Sequence, residues 1–577
     1  VMAGMALAAQ GTSAYAQPAM PPALRDAARQ GIDDEQRDRQ RRDADERTRQ
    51  ADAPDVRLDG ASLPGSVAVS DAAEAVDTVL PTETPCFVVH RITLRPESGV
   101  GFLPSALQPY IGQCVGQEGI GRITAHASQV LAEHGLVTTR ALVPVQDLRS
   151  GELTLEILPG RVGEIRFSDP PRWGTWRNAM PLREGDWLTL AGLEQGIEQL
   201  KRVPSRDVSV RLDAGRTPGE SDIEIDVVRH RPWRVMASVD NAGARDTGRL
   251  QGQLAVGVDS PLGLSDLLDV SVQHDLSPGD DRFGTKGLSA SYSVPWGYNT
   301  VSVFGTTRRY FQRVAGANQT FLSSGRSQLA EVKVERVVHR DRNGKTSLEA
   351  RVSRRFGRSH IEDFEIQQQY RNNTFYQLGV AHRHYVGAAQ FDIHLGWRQG
   401  VPWFGAQPQL RNRFTGEALR QTYRYRMALL DAQMSVPFRM GGVPLRYSAV
   451  FHGQTTASAL WATDQLTIGS RFTVRGFDGE TMLSAERGFF LRNELQAPVG
   501  ATSHAAYVGV DYGQVHGFSA RHLPGTRLAG AVIGLRGYQG GQFGGFGYDV
   551  FVGTPLYKPA GFQTGKVSAG FAVSYRY

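Results

Sequence analysis

Chemistry in this chain concentrates in a few residues. The stretch FTVRGFDGE, residues 472–480, sets one arginine, Arg475, between Val474 and Gly476, with Phe477 following. A guanidinium stays charged at any working pH and offers its donors in a rigid fork, which suits recognition of a carboxylate and not proton transfer. His382 and His384, in HRHY, are two potential metal ligands on one strand face, but no third ligand follows at a metal-binding spacing. The chain has two cysteines, Cys86 and Cys114, and no CxxC pair, so neither a thioredoxin-like site nor a structural zinc site is indicated. The glycine-rich GGQFGGFG at 540–547 neither leads a strand into a helix nor precedes a lysine, which makes it a loop and not a phosphate cradle. GxSxG, HExxH and GxxxxGK[ST] do not occur, so no catalytic residues, metal or cofactor are expected and an ATPase is excluded.

The elements that must position these residues follow from patterning. The chain has 577 residues, of which 40% are hydrophobic, and its mean hydropathy is −0.32. No internal apolar run approaches the roughly 18 residues of a membrane helix. Low hydropathy does not exclude a transmembrane β-barrel, whose strands alternate lipid-facing and lumen-facing residues. The 65 glycines, 18 tyrosines and 25 phenylalanines suit such a barrel. Residues 1–16 combine an apolar run with Ala14-Tyr15-Ala16, so they are expected to be the remains of a secretory signal, with Gln17 as the mature start. Export favours a Cys86–Cys114 disulfide. Its loop would stabilise its domain by roughly 3.5 kcal/mol on a chain-entropy account. The net charge of +6 is spread along the chain, which does not indicate nucleic-acid binding.

Residues 17–50 carry eight arginines and eight acids between Arg25 and Arg49, with almost no apolar face. Opposite charges recur at helical spacing. A helix polar all round cannot enter a dry core. The segment is therefore either a disordered charged leader or a helix in a wet, polar cavity. Residues 51–84, small, acidic and proline-containing, are expected to be a flexible linker. From Cys86 the order is strand (87–94), helix (around 119–135) and two strands, ending near 160. A second cycle of the same order runs over 161–232, with Thr189 as an N-cap and Pro204 after the helix. From 233 to 577 alternation replaces helical periodicity. In LQGQLAVGVD, Leu250, Leu254, Val256 and Val258 share a face opposite Gln251, Gln253 and Asp259. A closed barrel would remove the edges that so long a sheet exposes. About 16 antiparallel strands would leave about 22 residues for each strand and its connection.

This order of segments resembles the outer-membrane transporters of two-partner secretion, the TpsB family, within the outer-membrane assembly superfamily. GLVTTRALVPVQDLRSGELTLEILPGRV (135–162) resembles the first of that family's two POTRA domains, expected over 85–160. LEQGIEQLKRVPS (193–205) and PGESDIEIDV (218–227) resemble the second, expected over 161–232. The charged segment 17–50 is similar to the family's plug helix. VRGF resembles the tip of a long extracellular loop folded back into the lumen of a barrel over 233–577. Its arginine would meet an aspartate of the inner wall, which the resemblance places in YVGVDYG (507–513). The implied pair is Arg475–Asp511. Gly509 and Gly513 flank Asp511 on one strand face and leave room for the loop. Phe477 stands where the family often has tyrosine.

The resemblance implies a transporter in the outer membrane of a Gram-negative cell, not an enzyme, with its POTRA domains in the periplasm. Its partner would be a large unfolded exoprotein of the TpsA type, bound through an N-terminal secretion domain and moved through the pore without ATP. Adhesins, haemolysins and contact-dependent inhibition toxins are the cargo classes. Outer-membrane lipids and the barrel assembly machinery, for its own insertion, are further expected partners. The transporter is expected to be monomeric. An assembly insertase and a passive porin are the alternatives.

Overall fold

The computed structural model describes residues 22–58, 78–96, 99–169, 173–277, 283–315, 319–412 and 415–577. The expected secretory remnant lies outside these residues, as does the middle of the expected linker, 59–77.

Helix α1 spans Pro22–Ala51. Pro22 has the backbone angle that a first helical turn requires. Pairs one turn apart support the helix, Arg37 to Asp34 at 2.6 Å and Arg39 to Asp43 at 3.6 Å. At its end the Arg383 guanidinium donates to the carbonyls of Gln50, Ala51 and Ala53, placing a cation at the negative end of the helix dipole.

The first small unit pairs Arg91–Arg95 in parallel, and Arg140–Leu142 in antiparallel, with the central strand Glu152–Leu158. Helices α2 (Leu103–Leu107) and α3 (Gln117–Glu133) accompany this sheet. Ile123, Ala127, Val130 and Leu131 recur at helical spacing along α3 and share one buried cluster with Leu153, Leu155 and Ile157. The expected strand at 87–94 is interrupted. Phe87–Val88 pairs with Cys114–Val115, whereas the Val89 and His90 amides donate to the Gln113 and Gly151 carbonyls before the main sheet begins. Cys86 and Cys114 form a disulfide with their Cα atoms 5.4 Å apart, tying this small ribbon together.

The second unit orders its strands Arg161–Phe167, Glu220–Arg229 and Arg206–Ala214, with the longest in the middle. Helix α4, Leu190–Lys201, begins at Thr189, whose hydroxyl accepts from the Gly192 amide at 3.2 Å. Leu193, Ile197 and Leu200 face the core of the unit. Each contributes about 1.5–3 kcal/mol by burial. The polar face of α4 is buried as well, because it lies against turns of the barrel. Gln199 donates to the Gly297 carbonyl at 3.2 Å and Arg202 to that of Ser293 at 3.2 Å.

Sixteen long antiparallel strands close into a barrel, from Trp233–Asp240 to Ser568–Arg576. The last strand pairs with the first, from Ala572 opposite Asp240 to Arg576 opposite Met236. Leu250, Leu254 and Val256 stand exposed on the outer face, whereas Gln253 accepts from Arg41 of α1 inside. The exposed apolar side chains mark the lipid-facing surface.

The described ends of the expected flexible linker are docked instead. The Leu58 amide donates to Glu194 of α4 at 2.8 Å, and Asp55 pairs with Arg340 at 3.0 Å. At the far end, the Glu83 carboxylate accepts from the Glu118 and Gly119 amides, each at 2.7 Å, capping the first turn of α3. Composition hides this order, because side chains and backbone amides of neighbouring elements supply the partners.

Hydrogen bonds from these amides hold the Glu83 carboxyl below its usual 4.5. A carboxyl depressed on folding stabilises the fold above its unfolded pKa, and that contribution is lost as pH falls through the folded value. Amide protection at Glu118 and Gly119 should therefore decline below about pH 4.5. In Glu83→Gln it should be lower at neutral pH and flatter with acidification, which hydrogen-exchange mass spectrometry would read.

Candidate functional site

Residues 457–486 join the strands Val443–Thr456 and Arg487–Pro498 and fold into the barrel. A short hairpin, Leu466–Ile468 against Leu483–Ala485, stiffens the segment and presents its tip to the inner wall. There Arg475 is 3% exposed and Asp511 fully buried, which decides the character of the contact. Arg475 Nε donates to Asp511 Oδ2 at 2.7 Å and Nη2 to Oδ1 at 2.9 Å, a bidentate fork, and the Arg475 amide adds a third bond at 2.9 Å. Nη1 donates to Glu494 at 2.6 Å, and Arg536 lies 2.9 Å from the other oxygen of that carboxylate. With Arg492 at 4.0 Å from Asp511 and Asp549 at 3.5 Å from Arg536, three arginines and three carboxylates form one network.

The wall under the loop is stripped of side chains. A Cβ at Gly509 would lie 2.6 Å from Arg475 Nη2, and one at Gly513 2.8 Å from Val474. Gly530 and Gly553 on the next two strands continue the track. A Cβ at Gly530 would fall 1.9 Å from the Arg475 carbonyl, and one at Gly553 2.9 Å from the Gly476 Cα. Gly476 has φ +98°, a conformation that favours glycine, and a Cβ there would stand 2.5 Å from the Thr554 carbonyl. Phe477 packs edge-on against Phe562 in an apolar cluster with Ile468, Val474 and Leu528. The structure therefore brings Val474, Arg475, Gly476 and Phe477 against Gly509, Asp511 and Gly513. It adds Glu494, Arg536, Gly530 and Gly553, which sequence reasoning missed. Their only signal was alternation, with Glu494 directly opposite Gly509 and Gly530 directly opposite Asp511 across strand pairs. His382 and His384 stack on each other instead, with ring centres 5.7 Å apart, and His382 shares a hydrogen bond with Thr346.

Helix α1 lies beside this loop inside the barrel. Gln36 donates to the Ala462 carbonyl at 2.6 Å, Arg37 to Gly479 at 3.1 Å, Arg39 to Thr463 at 3.0 Å and Gln40 to Thr467 at 3.2 Å. Wall charges take up the rest of its surface: Arg371 pairs with Glu35, Arg308 with Asp38, Arg351 with Glu46, Asp240 with Arg41 and Asp431 with Arg47. An open cavity of about 1100 Å³ remains along the opposite side, lined by Ser238, Gln253, Ser289 and Arg49 among others. Below the barrel, Arg340 of a hairpin turn gathers Asp55 at 3.0 Å, Glu194 at 3.1 Å and Glu198 at 2.8 Å. One guanidinium so joins the chain leaving α1, the second small unit and the barrel.

Removing one partner of a buried pair strands the other charge, at a cost of about 3–5 kcal/mol. Arg475→Ala and Asp511→Ala should each lower the temperature at which the folded barrel loses its compact mobility on a gel. The double variant should lose less than the sum of the two. Gly530→Val, which changes no charge, should displace the loop and open residues 457–486 to protease while the barrel still assembles. Arg340→Ala should expose residues 52–58 to protease in the intact protein.

Residues 219–537 match the family model described as haemolysin secretion/activation protein ShlB/FhaC/HecB. Residues 87–160 match a POTRA domain of ShlB type, and residues 161–214 a second POTRA domain. The chain is 46% identical over 568 residues to the outer membrane transporter CdiB-2 of Burkholderia pseudomallei, covering 96% of this chain and 95% of the relative. It is 29% identical to the outer membrane transporter CdiB of Dickeya dadantii, covering 85% and 86%. Among solved structures, CdiB from Acinetobacter baumannii superposes with a TM-score of 0.80 at 27% identity, covering 95% of this chain and 99% of that one. With a sixteen-strand barrel, two POTRA domains and full-length likeness to these transporters, the chain belongs to the ShlB/FhaC/HecB family of two-partner secretion transporters of the outer membrane.

Proposed function

We propose that this transporter captures one large, unfolded exoprotein in the periplasm through its POTRA domains and passes it through the barrel to the cell surface without ATP. The observation that carries this reading is the stopper itself. Helix α1 is joined to the lumen by hydrogen bonds and ion pairs, and among its described residues the buried ones are polar, Asp34, Gln36, Asp38 and Gln40. Water can replace such contacts at little net cost, so the helix can leave and return. A hydrophobic stopper could not do so reversibly.

Capture suits the open sheet edges. Arg140–Leu142 and Arg206–Ala214 are edge strands of the two small sheets, and an extended polypeptide can add to such an edge by main-chain hydrogen bonds. With no nucleotide-binding loop in the sequence, folding of the exported chain outside the cell supplies the direction. The Arg475–Asp511 fork would hold the pore loop in register during passage. Among cargo classes we favour a contact-dependent inhibition exoprotein. Relatives named CdiB reach 46% identity, whereas the haemolysin transporter ShlB of Serratia marcescens stands at 26%.

Deleting residues 22–51 should raise the resting conductance of the purified protein in planar bilayers; unchanged conductance would overturn the stopper. Deleting the gene should remove one very large exoprotein from the surface and medium and leave other barrels unchanged. Broad depletion of barrels would mean an assembly insertase, and no change in either fraction a passive pore.

A further inference from the structure

Many arginines inside the barrel pair with carboxylates, whereas its outer face carries a row of four basic side chains on neighbouring strands. Lys286, Arg309, Arg326 and Arg358 lie directly opposite one another across four successive strands, Gly284–Trp296, Asn299–Ala315, Thr320–Arg340 and Gly344–Ile361. All four are exposed. Alternation fixes their side. Lys286 shares a face with exposed Leu288, Arg309 with Val303, Arg326 with Val332 and Arg358 with Leu348, whereas the adjacent Arg308 points inward to Asp38. Side chains directly opposite in a sheet stand about 5 Å apart at Cβ, and like charges so placed destabilise the pair. Among the described residues no carboxylate lies within ion-pair distance of Arg309 or Arg326. Arg326 bonds only the Thr307 hydroxyl, at 3.4 Å, and Arg358 has Glu365 at 4.0 Å.

Height in the membrane says what neutralises the row. The turns at Gly297 and Arg340 touch the second POTRA domain and are the periplasmic ends of these strands. On one strand, Arg336 and Arg326 bracket the outward Val334, Val332, Ala330 and Gln328. About ten residues at about 3.3 Å each, tilted by about 40°, rise about 25 Å, the height of the apolar band of a barrel. The row therefore stands at the outer-leaflet headgroup level, with lipid-facing Leu288 next below Lys286 and Val332 further down the strand of Arg326. Aromatic rings accompany it. Arg358 lies 5.1 Å from the Phe356 ring centre and 5.7 Å from that of Tyr370.

We infer that this row is a binding site for the phosphate groups of an outer-leaflet glycolipid, whose acyl chains lie on the apolar strand faces below. A doubly phosphorylated headgroup would bridge neighbouring guanidiniums, each phosphate accepting from two of them, and relieve the repulsion along the row. A lipid held there would brace the barrel wall from outside, on the strands whose inner faces carry Arg308, Arg351 and Arg355.

The test uses the full chain in detergent, titrated with diphosphorylated lipid A and with the same lipid after removal of its phosphates, with bound lipid counted by native mass spectrometry. The variant is Arg309→Gln/Arg326→Gln/Arg358→Gln. The control, Arg336→Gln, removes an outward charge from the periplasmic end of one of the same strands. At about 1 kcal/mol per basic side chain near a charged headgroup, the triple variant should bind the phosphorylated lipid roughly 100-fold more weakly. The control should match the unaltered protein, and the dephosphorylated lipid should bind neither selectively. Equal affinity in the triple variant and the unaltered protein would overturn the site. So would displacement of the lipid by millimolar inorganic phosphate, which would mean a free-anion site, or binding of an acidic polypeptide in preference to the lipid. Should the triple variant fail the heat-mobility test for a folded barrel, Arg326→Gln alone, expected to weaken binding about fivefold, replaces it.

Discussion

The interior of this protein depends on one buried charge. Arg475 is held by Asp511 and Glu494 where almost no water reaches, and its own amide shares the same carboxylate. A buried ion pair is weak evidence for net stability, because desolvation offsets most of the attraction. Its effect is on position. An arginine that must find two carboxylates, over a track where any Cβ would collide, leaves the loop one seating. The loop in turn offers the carbonyls of Ala462, Thr463, Thr467 and Gly479 to helix α1. Helix α1 is therefore seated partly on this loop and partly on the charges of the wall, and the loop on Arg475.

The barrel imposes a complementary constraint. A closed wall of this width encloses a lumen too broad for its own side chains to fill. What fills it must be polar if it is ever to leave. Helix α1 meets that condition with alternating charge and wall partners of opposite sign. The open cavity along its other side means that the lumen is only partly occupied. Arg383, at the end of the helix, and Arg340, below the barrel, then hold the exit of the helix against a barrel strand and the second POTRA domain. The segment leaving the helix also packs Val56 and Leu58 against the core of that domain, so ion pairs and apolar contact together join the helix end to it.

Much of the architecture is legible without coordinates, because period-two alternation and a switch from helical to strand periodicity are properties of local sequence. Thr189 caps a helix at the position its neighbours imply. Other features are less local. The strand expected over 87–94 breaks because Gln113 and Gly151 draw away the amides of Val89 and His90, and neither residue is near in sequence. The acidic linker is docked at its described ends because Arg340 and the first turn of α3 are waiting for its carboxylates. Composition alone reads that stretch as loose.

Arg475 and Asp511 are brought together in the sequence by resemblance, VRGF to the family's loop tip and YVGVDYG to its wall motif, whereas residue pattern alone leaves Arg475 on a solvated loop and Asp511 an ordinary lumen charge. By itself, then, the sequence determined the barrel, the two small α+β units and the polar character of the first helix, while the two ends of the central pair came from the family resemblance. Tertiary structure alone decided the second carboxylate, Glu494, the glycine track through Gly530 and Gly553, and the convergence on Arg340. The reason is strand register. Residues far apart in the chain become neighbours only when hydrogen bonding sets one strand against the next, and a shift of one residue would turn each of them to the other face.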